Sequence, residues 1–174
     1  MILLRHLFSI AALPFVVTVV IPLWIARNNG TRLGIAETPQ VILQVTGVAV
    51  FGVGLLLFAS SLRRFATEGQ GTLAPWDPPR ELVVRGPYRY VRNPMISGVF
   101  LVLVGEALVL LSWPHAGWAA TFFVINAIYI PVLEEPQLAK RFGASYESYR
   151  RHVPRLIPRL RPWQPSADNG RRAA

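Results

Sequence analysis

Residues 7–26, LFSIAALPFVVTVVIPLWIA, run for twenty positions without a charge. At the helical rise of about 1.5 Å per residue, such a run matches a bilayer hydrocarbon core roughly 30 Å thick. A chain with this stretch either crosses a membrane or carries a cleaved leader. The run exceeds the about 7–15 apolar residues of a signal peptide and no small-x-small site follows it, so a retained helix is expected. Pro14 and Pro22 lie inside it and predict a kink, tolerated where neighbouring helices satisfy the freed carbonyls.

Three more apolar blocks follow, at 41–62, 95–113 and 117–133. Gly47, Gly52 and Gly54 in the second would let another helix approach closely. Only Pro114, His115 and Ala116 separate the last two blocks, which predicts a tight hairpin with Trp113 and Trp118 at its tip, the depth that amphipathic rings favour. The fold class expected is therefore all-α and polytopic, with about four transmembrane helices.

Composition narrows the rest. At 174 residues, 52% apolar and 16% charged, with a mean hydropathy of +0.38, the chain has room for one domain, taken as 1–161, and a polar disordered tail, 162–174. With no cysteine, disulfide scaffolds, thiolate metal sites and cysteine nucleophiles are excluded. His6, His115 and His152 are too scattered to hold an ion, so no metal is expected. A net charge of +9 could mark a nucleic-acid binder, but a soluble module of that kind would not be this apolar, and no nucleic-acid partner is expected. Membrane lipids are the partner expected, and oligomeric state is left open.

The basic residues are placed unevenly. One precedes the first block, six lie between the second and third, and nine follow the fourth, against Arg27 and Arg32 alone on the other side. By the positive-inside rule both termini are expected in the cytoplasm, with a bacterial inner membrane as host. Residues 63–94 are too proline-rich and aromatic for a simple connector, and an ordered cytosolic cap is expected there. After Glu134 and Glu135, the positions Leu138, Phe142, Tyr146, Tyr149 and Val153 recur at helical spacing, predicting a C-terminal helix along the membrane interface.

Each of these features has a plain reading. Arg89, Tyr90 and Arg92 ahead of a span are ordinary interfacial anchors. Two adjacent carboxylates at the end of an apolar span are less ordinary, because desolvating them is costly and draws cationic partners, from the cap or from a ligand. Glu106, inside the third block, is expected near mid-membrane, bonded to Asn126 or Gln44 or else facing a substrate.

The segment Arg85–Gly98, RGPYRYVRNPMISG, followed after the hairpin by Glu134–Tyr149, EEPQLAKRFGASYESY, resembles the integral-membrane methyltransferases of the isoprenylcysteine carboxyl methyltransferase and phospholipid N-methyltransferase type. The likeness covers roughly residues 65–158. It implies a cytosolic-side pocket for S-adenosylmethionine and a lateral opening for a lipid-like or small apolar acceptor. The cofactor contacts it implies fall on Arg80, Glu81, Leu82, Val83, Tyr88, Asn93, Pro94, Met95, Ile96 and Glu134. Arg92 and Glu134 are implied as the catalytic pair, with Glu135 in support.

Three positions depart from that pattern. Asn93 stands where the eukaryotic motif has histidine, which removes a base titrating near neutral pH. Ile96 replaces a tyrosine. Ile130 replaces a substrate-contacting arginine, which disfavours a prenylcysteine carboxylate. The function expected is methyl transfer from S-adenosylmethionine at the cytosolic membrane face, and the alternative is a non-catalytic scaffold binding anionic lipid or a partner helix.

Overall fold

The computed structural model describes residues 13–29, 38–68 and 81–164. Among these the chain is helical, with no strand. Four apolar helices run in order: α1 (Leu13–Asn29), α2 (Thr38–Glu68), α3 (Pro94–Val109) and α4 (Trp113–Tyr129). A π-helical turn, Ile130–Glu134, leads directly into α5 (Glu135–His152). This is an all-α membrane architecture. Only 11% of the apolar stretch of α2 is buried, and the same holds for the stretch beginning at Trp113, so these helices are apolar on their outward faces. Ile42, Val45, Leu56, Ile125, Ile128 and Val132 all point outward, as a lipid-facing surface requires.

α3 is the central helix. It packs antiparallel to α2 through glycines on both partners: a Cβ on Gly54 would lie 2.8 Å from the Gly98 carbonyl, and one on Gly98 would lie 2.7 Å from the Phe58 nitrogen. Gly47 meets Gly105 in the same way. Dispersion between backbones in van der Waals contact takes over where lipid offers no hydrophobic driving force. Gly52 takes no part, since a Cβ there meets nothing within 4 Å. On its other side α3 packs against α4, with Val99, Leu103 and Ala119 buried together and Val17 of α1 against them.

The proline pair of α1 acts through its neighbour. Residues Val16–Val20 widen into a π turn, in which Ile21 N–H reaches back to the Val16 carbonyl. Pro22 has no N–H to continue that pattern to Val17. The Trp118 indole supplies it instead, donating to the Val17 carbonyl at 3.0 Å. One turn away His115 Nε2 lies 3.1 Å from the Pro22 carbonyl, while its Nδ1 meets Ser112 Oγ at 2.7 Å.

Helix boundaries differ from the sequence expectation at the end of α2, the end of α3 and the start of α4. α2 runs on past Leu62 through Arg63 and Arg64 to Glu68, where Arg64 and Glu68 pair at 2.8 Å one turn apart. The hairpin turn is Leu110–Ser112 rather than Pro114–Ala116, with Leu111 at φ 48°. Proline suits a first helical turn, so Pro114 starts α4 instead of separating the helices. Glu106 therefore lies in the last turn of α3. Gln44 and Asn126, its expected partners, donate to the carbonyls of Val109 and Phe122, and Glu106 Oε2 has no partner among the described residues.

The apolar stripe of α5 is turned into the protein. Tyr146, Tyr149 and Val153 are buried against Leu82, Val84 and Trp163, so the stripe clamps the cap. Gly143, at φ 52° and ψ −130°, breaks the helix midway and re-aims the second half, a conformation that glycine alone adopts cheaply. Ordered structure also passes Pro162: Trp163 N–H donates to the Arg89 carbonyl at 2.9 Å and its ring stacks on His152. The rest of the tail assigned at 162–174, from 165 on, lies outside the described residues.

Candidate active site

The site forms where the chain before α3 meets the chain after α4. A 3-10 turn, Gly86–Arg89, with Gly86 at φ 55°, swings Tyr88 inward until it is buried. Tyr149 of α5 fixes this turn by donating its hydroxyl to the Tyr88 carbonyl at 2.6 Å. Arg92 comes next, just ahead of the helix-starting Pro94, with its side chain 9% exposed.

From the other side comes the π turn at Ile130–Glu134. Pro131 has no N–H for the α-helical pattern, and Glu135 N–H instead reaches the Ile130 carbonyl. A π turn inserts an extra residue and rotates the helix beyond it. The result separates the two acids. Glu135 is buried and ion-paired to Arg92 at 3.1 Å and to Arg155 at 2.6 Å. Glu134 makes no ion pair among the described residues, yet lies close enough to Tyr88 and Arg92 to interact with them electrostatically. Burial, reinforced by Glu135 and opposed by Arg92, lifts the Glu134 carboxyl from its ordinary 4.5 to about 7. Burial first, then Glu134, raises the Tyr88 hydroxyl, which stays protonated and able to donate.

The candidates from the sequence divide three ways. Tyr88, Arg92, Glu134 and Glu135 converge. Asn93 sits beside them, its Nδ2 3.5 Å from the Arg155 carbonyl, and Pro94 is buried at the start of α3 with Met95 and Ile96 next along it. Glu81, Leu82 and Val83 line a separate cavity of about 260 Å³ with Thr67, Glu68, Val84 and Arg85. Arg80 lies outside the described residues. Ile130 is completely buried, so the side chain that stands in place of an arginine faces the protein interior.

Sequence reasoning missed Arg155 and undervalued Tyr146 and Glu135. Arg155 binds Glu135 along one edge, Nε to Oε1 at 2.6 Å and Nη2 to Oε2 at 3.0 Å. Arg92 Nη1 donates to the buried Tyr146 hydroxyl at 3.4 Å. Arg92 Nε is buried with no partner among the described residues. The stripe at Tyr146 and Tyr149 was a visible signal, whereas nothing in the VPRLIP context marks Arg155.

A desolvated carboxylate without an ion pair, a buried guanidinium with an unused donor and a buried phenol form a surface for a ligand carrying both a cation and an anion. Residues 42–145 match the phospholipid methyltransferase family, and the chain belongs to that family. A methanethiol S-methyltransferase of Crocosphaera subtropica is 38% identical over 71 residues, which cover 41% of this chain and 27% of that protein. Methanethiol S-methyltransferase 2 of Bradyrhizobium diazoefficiens is 37% identical over 79 residues, 42% of this chain and 27% of its own length. The matched segment thus spans about a quarter of the curated relatives. No solved structure matches the chain.

Proposed function

We propose that the chain transfers a methyl group from S-adenosylmethionine to a small apolar or lipid-like acceptor at the cytosolic face of a bacterial inner membrane, with both termini on that side. The observation that carries this reading is the convergence of Glu134, Arg92 and Tyr88 from segments about 40 residues apart. Membership of the phospholipid methyltransferase family supports it, and the thiol methyltransferases among the relatives favour a small thiol among the acceptors.

When bound, the cofactor supplies a methyl on a cationic sulfur, already electrophilic without a metal. The protein's task is to hold a nucleophile in line at about 3–3.5 Å and to exclude water. Glu134 holds the ammonium end as a carboxylate, Arg92 holds a carboxylate through its free donor, and the Tyr88 hydroxyl orients a polar group between them. Asn93 and the first turn of α3, beside these three residues, complete the cofactor side of the site. Asn93 cannot titrate near neutral pH, so no base is assigned there. With Ile130 buried, the site offers no arginine at that position for an acceptor carboxylate.

The test is incubation of membranes containing the protein with methyl-labelled S-adenosylmethionine and alkanethiols or phospholipid. Label entering the organic-extractable fraction supports the proposal. No transfer and no saturable cofactor binding would leave the non-catalytic scaffold as the reading.

A further inference from the structure

Beyond His152 the chain forms a strap, 153–164, that returns across the site. The Arg92 N–H donates to the Pro154 carbonyl at 2.9 Å and the Arg159 N–H to the Tyr90 carbonyl at 3.0 Å. Trp163 and Arg89 exchange two hydrogen bonds, at 2.9 Å and 2.6 Å. Arg155 is thus held from both sides, and its guanidinium meets Glu135 edge-on through two hydrogen bonds.

The carboxylate of Glu135 has two oxygens and two suitors. Arg155 occupies both oxygens, and Arg92 is left with a single 3.1 Å contact to the oxygen it shares. The Nε edge of Arg92 stays unpaired, although the side chain is 9% exposed. Planar guanidinium and carboxylate groups favour bidentate pairing, so a Glu135 free of Arg155 would turn to take Arg92 through both oxygens.

We propose that Arg155 is a positioning residue: by engaging Glu135 edge-on, it keeps the Nε edge of Arg92 available for the carboxylate of a ligand. The proposal rests on the methyl-transfer reading of the site. That carboxylate belongs either to the amino-acid end of the cofactor or to an anionic acceptor, and the experiment separates the two.

Full-length protein in lipid nanodiscs is titrated with S-adenosylhomocysteine and with the same nucleoside lacking the carboxylate, for the wild type, Arg155→Gln and Arg155→Lys. A wild-type preference for the carboxylate-bearing ligand of at least about tenfold, lost in Arg155→Gln with little change in affinity for the decarboxylated one, is the result expected. Arg155→Lys keeps the charge without the fork and gives an intermediate preference, which serves if the glutamine variant fails to fold. Equal wild-type affinities, with KM for 3-mercaptopropionate about tenfold below that for ethanethiol and this difference lost in the variants, support an acceptor carboxylate instead. Equal weakening of both nucleosides in the variants, an unchanged preference, or no wild-type discrimination in either arm overturns the proposal. Failure of the wild type to bind either nucleoside overturns the methyl-transfer reading, and this proposal with it.

Discussion

The Arg92 guanidinium lies 3.1 Å from the Glu135 carboxylate, both side chains less than a tenth exposed, and this contact joins the chain entering α3 to the chain leaving α4. Removing one partner of a buried pair strands the other charge, at a cost of about 3–5 kcal/mol. Glu135→Gln strands Arg92 and leaves Arg155 unmatched. We expect a loss of about 3 kcal/mol, read as a lowered unfolding midpoint in detergent. Glu134→Gln removes no ion pair among the described residues and relieves a carboxyl that burial disfavours in its charged form, so it should raise that midpoint at pH 8 while weakening cofactor binding.

Glu134 also sets a pH dependence. Its carboxyl is raised to about 7 in the folded protein, so it is neutral below that pH and anionic above it. Affinity for the cationic cofactor should rise as pH increases through about 7. Stability moves the other way. The folded state holds this proton more tightly than the unfolded chain, so the group's contribution declines as pH climbs from 4.5 to about 7. Calorimetric titration from pH 6 to 8 checks the first effect, and Glu134→Gln should flatten the curve.

The glycine seam between α2 and α3 gives a paired prediction. Gly98→Ala places a methyl 2.7 Å from the Phe58 nitrogen and 2.9 Å from the Gly54 carbonyl, where only backbone could yield. Overpacking of this kind costs about 1–3 kcal/mol. Gly52→Ala, in open space, should leave the unfolding midpoint unchanged.

Trp118→Phe removes the donor that serves the Val17 carbonyl in place of Pro22. The expected cost is about 1 kcal/mol, in line with interhelical hydrogen bonds in membranes. Unfolding of the variant against Trp113→Phe is the comparison, since Trp113 is 88% exposed at the start of α4.

Orientation can be mapped directly because the chain has no cysteine. Gly117→Cys, exposed near the hairpin, should react with an impermeant maleimide on intact cells, while Ser145→Cys, exposed on α5, should react only after lysis. The reverse pattern would invert the topology.

Much of this was legible in the residues. Apolar run lengths marked the helices, and the resemblance carried by the segments around Arg92 and the acidic doublet pointed to the site. The hairpin turn was misread because Pro114 serves equally as a turn residue or a helix start, and the choice depends on Ser112 and Leu111 closing the chain earlier. The division of labour between Glu134 and Glu135 was hidden, because it arises from a π turn at Pro131 that rotates the doublet by a register no periodicity reveals. The stripe of α5 was read as membrane-facing because spacing identifies an apolar face without naming what covers it. Arg155 stayed invisible because its partner is 20 residues away across a strap of irregular backbone.

The central claim, that the segment before α3 and the doublet after α4 enclose one cofactor, is tested most directly by ultraviolet crosslinking of methyl-labelled S-adenosylmethionine to the protein in membranes, with peptide mapping of the product. Label in both 81–96 and 130–138, competed away by S-adenosylhomocysteine, is the result predicted. Competable label confined to other segments, with neither of these two marked, would contradict it.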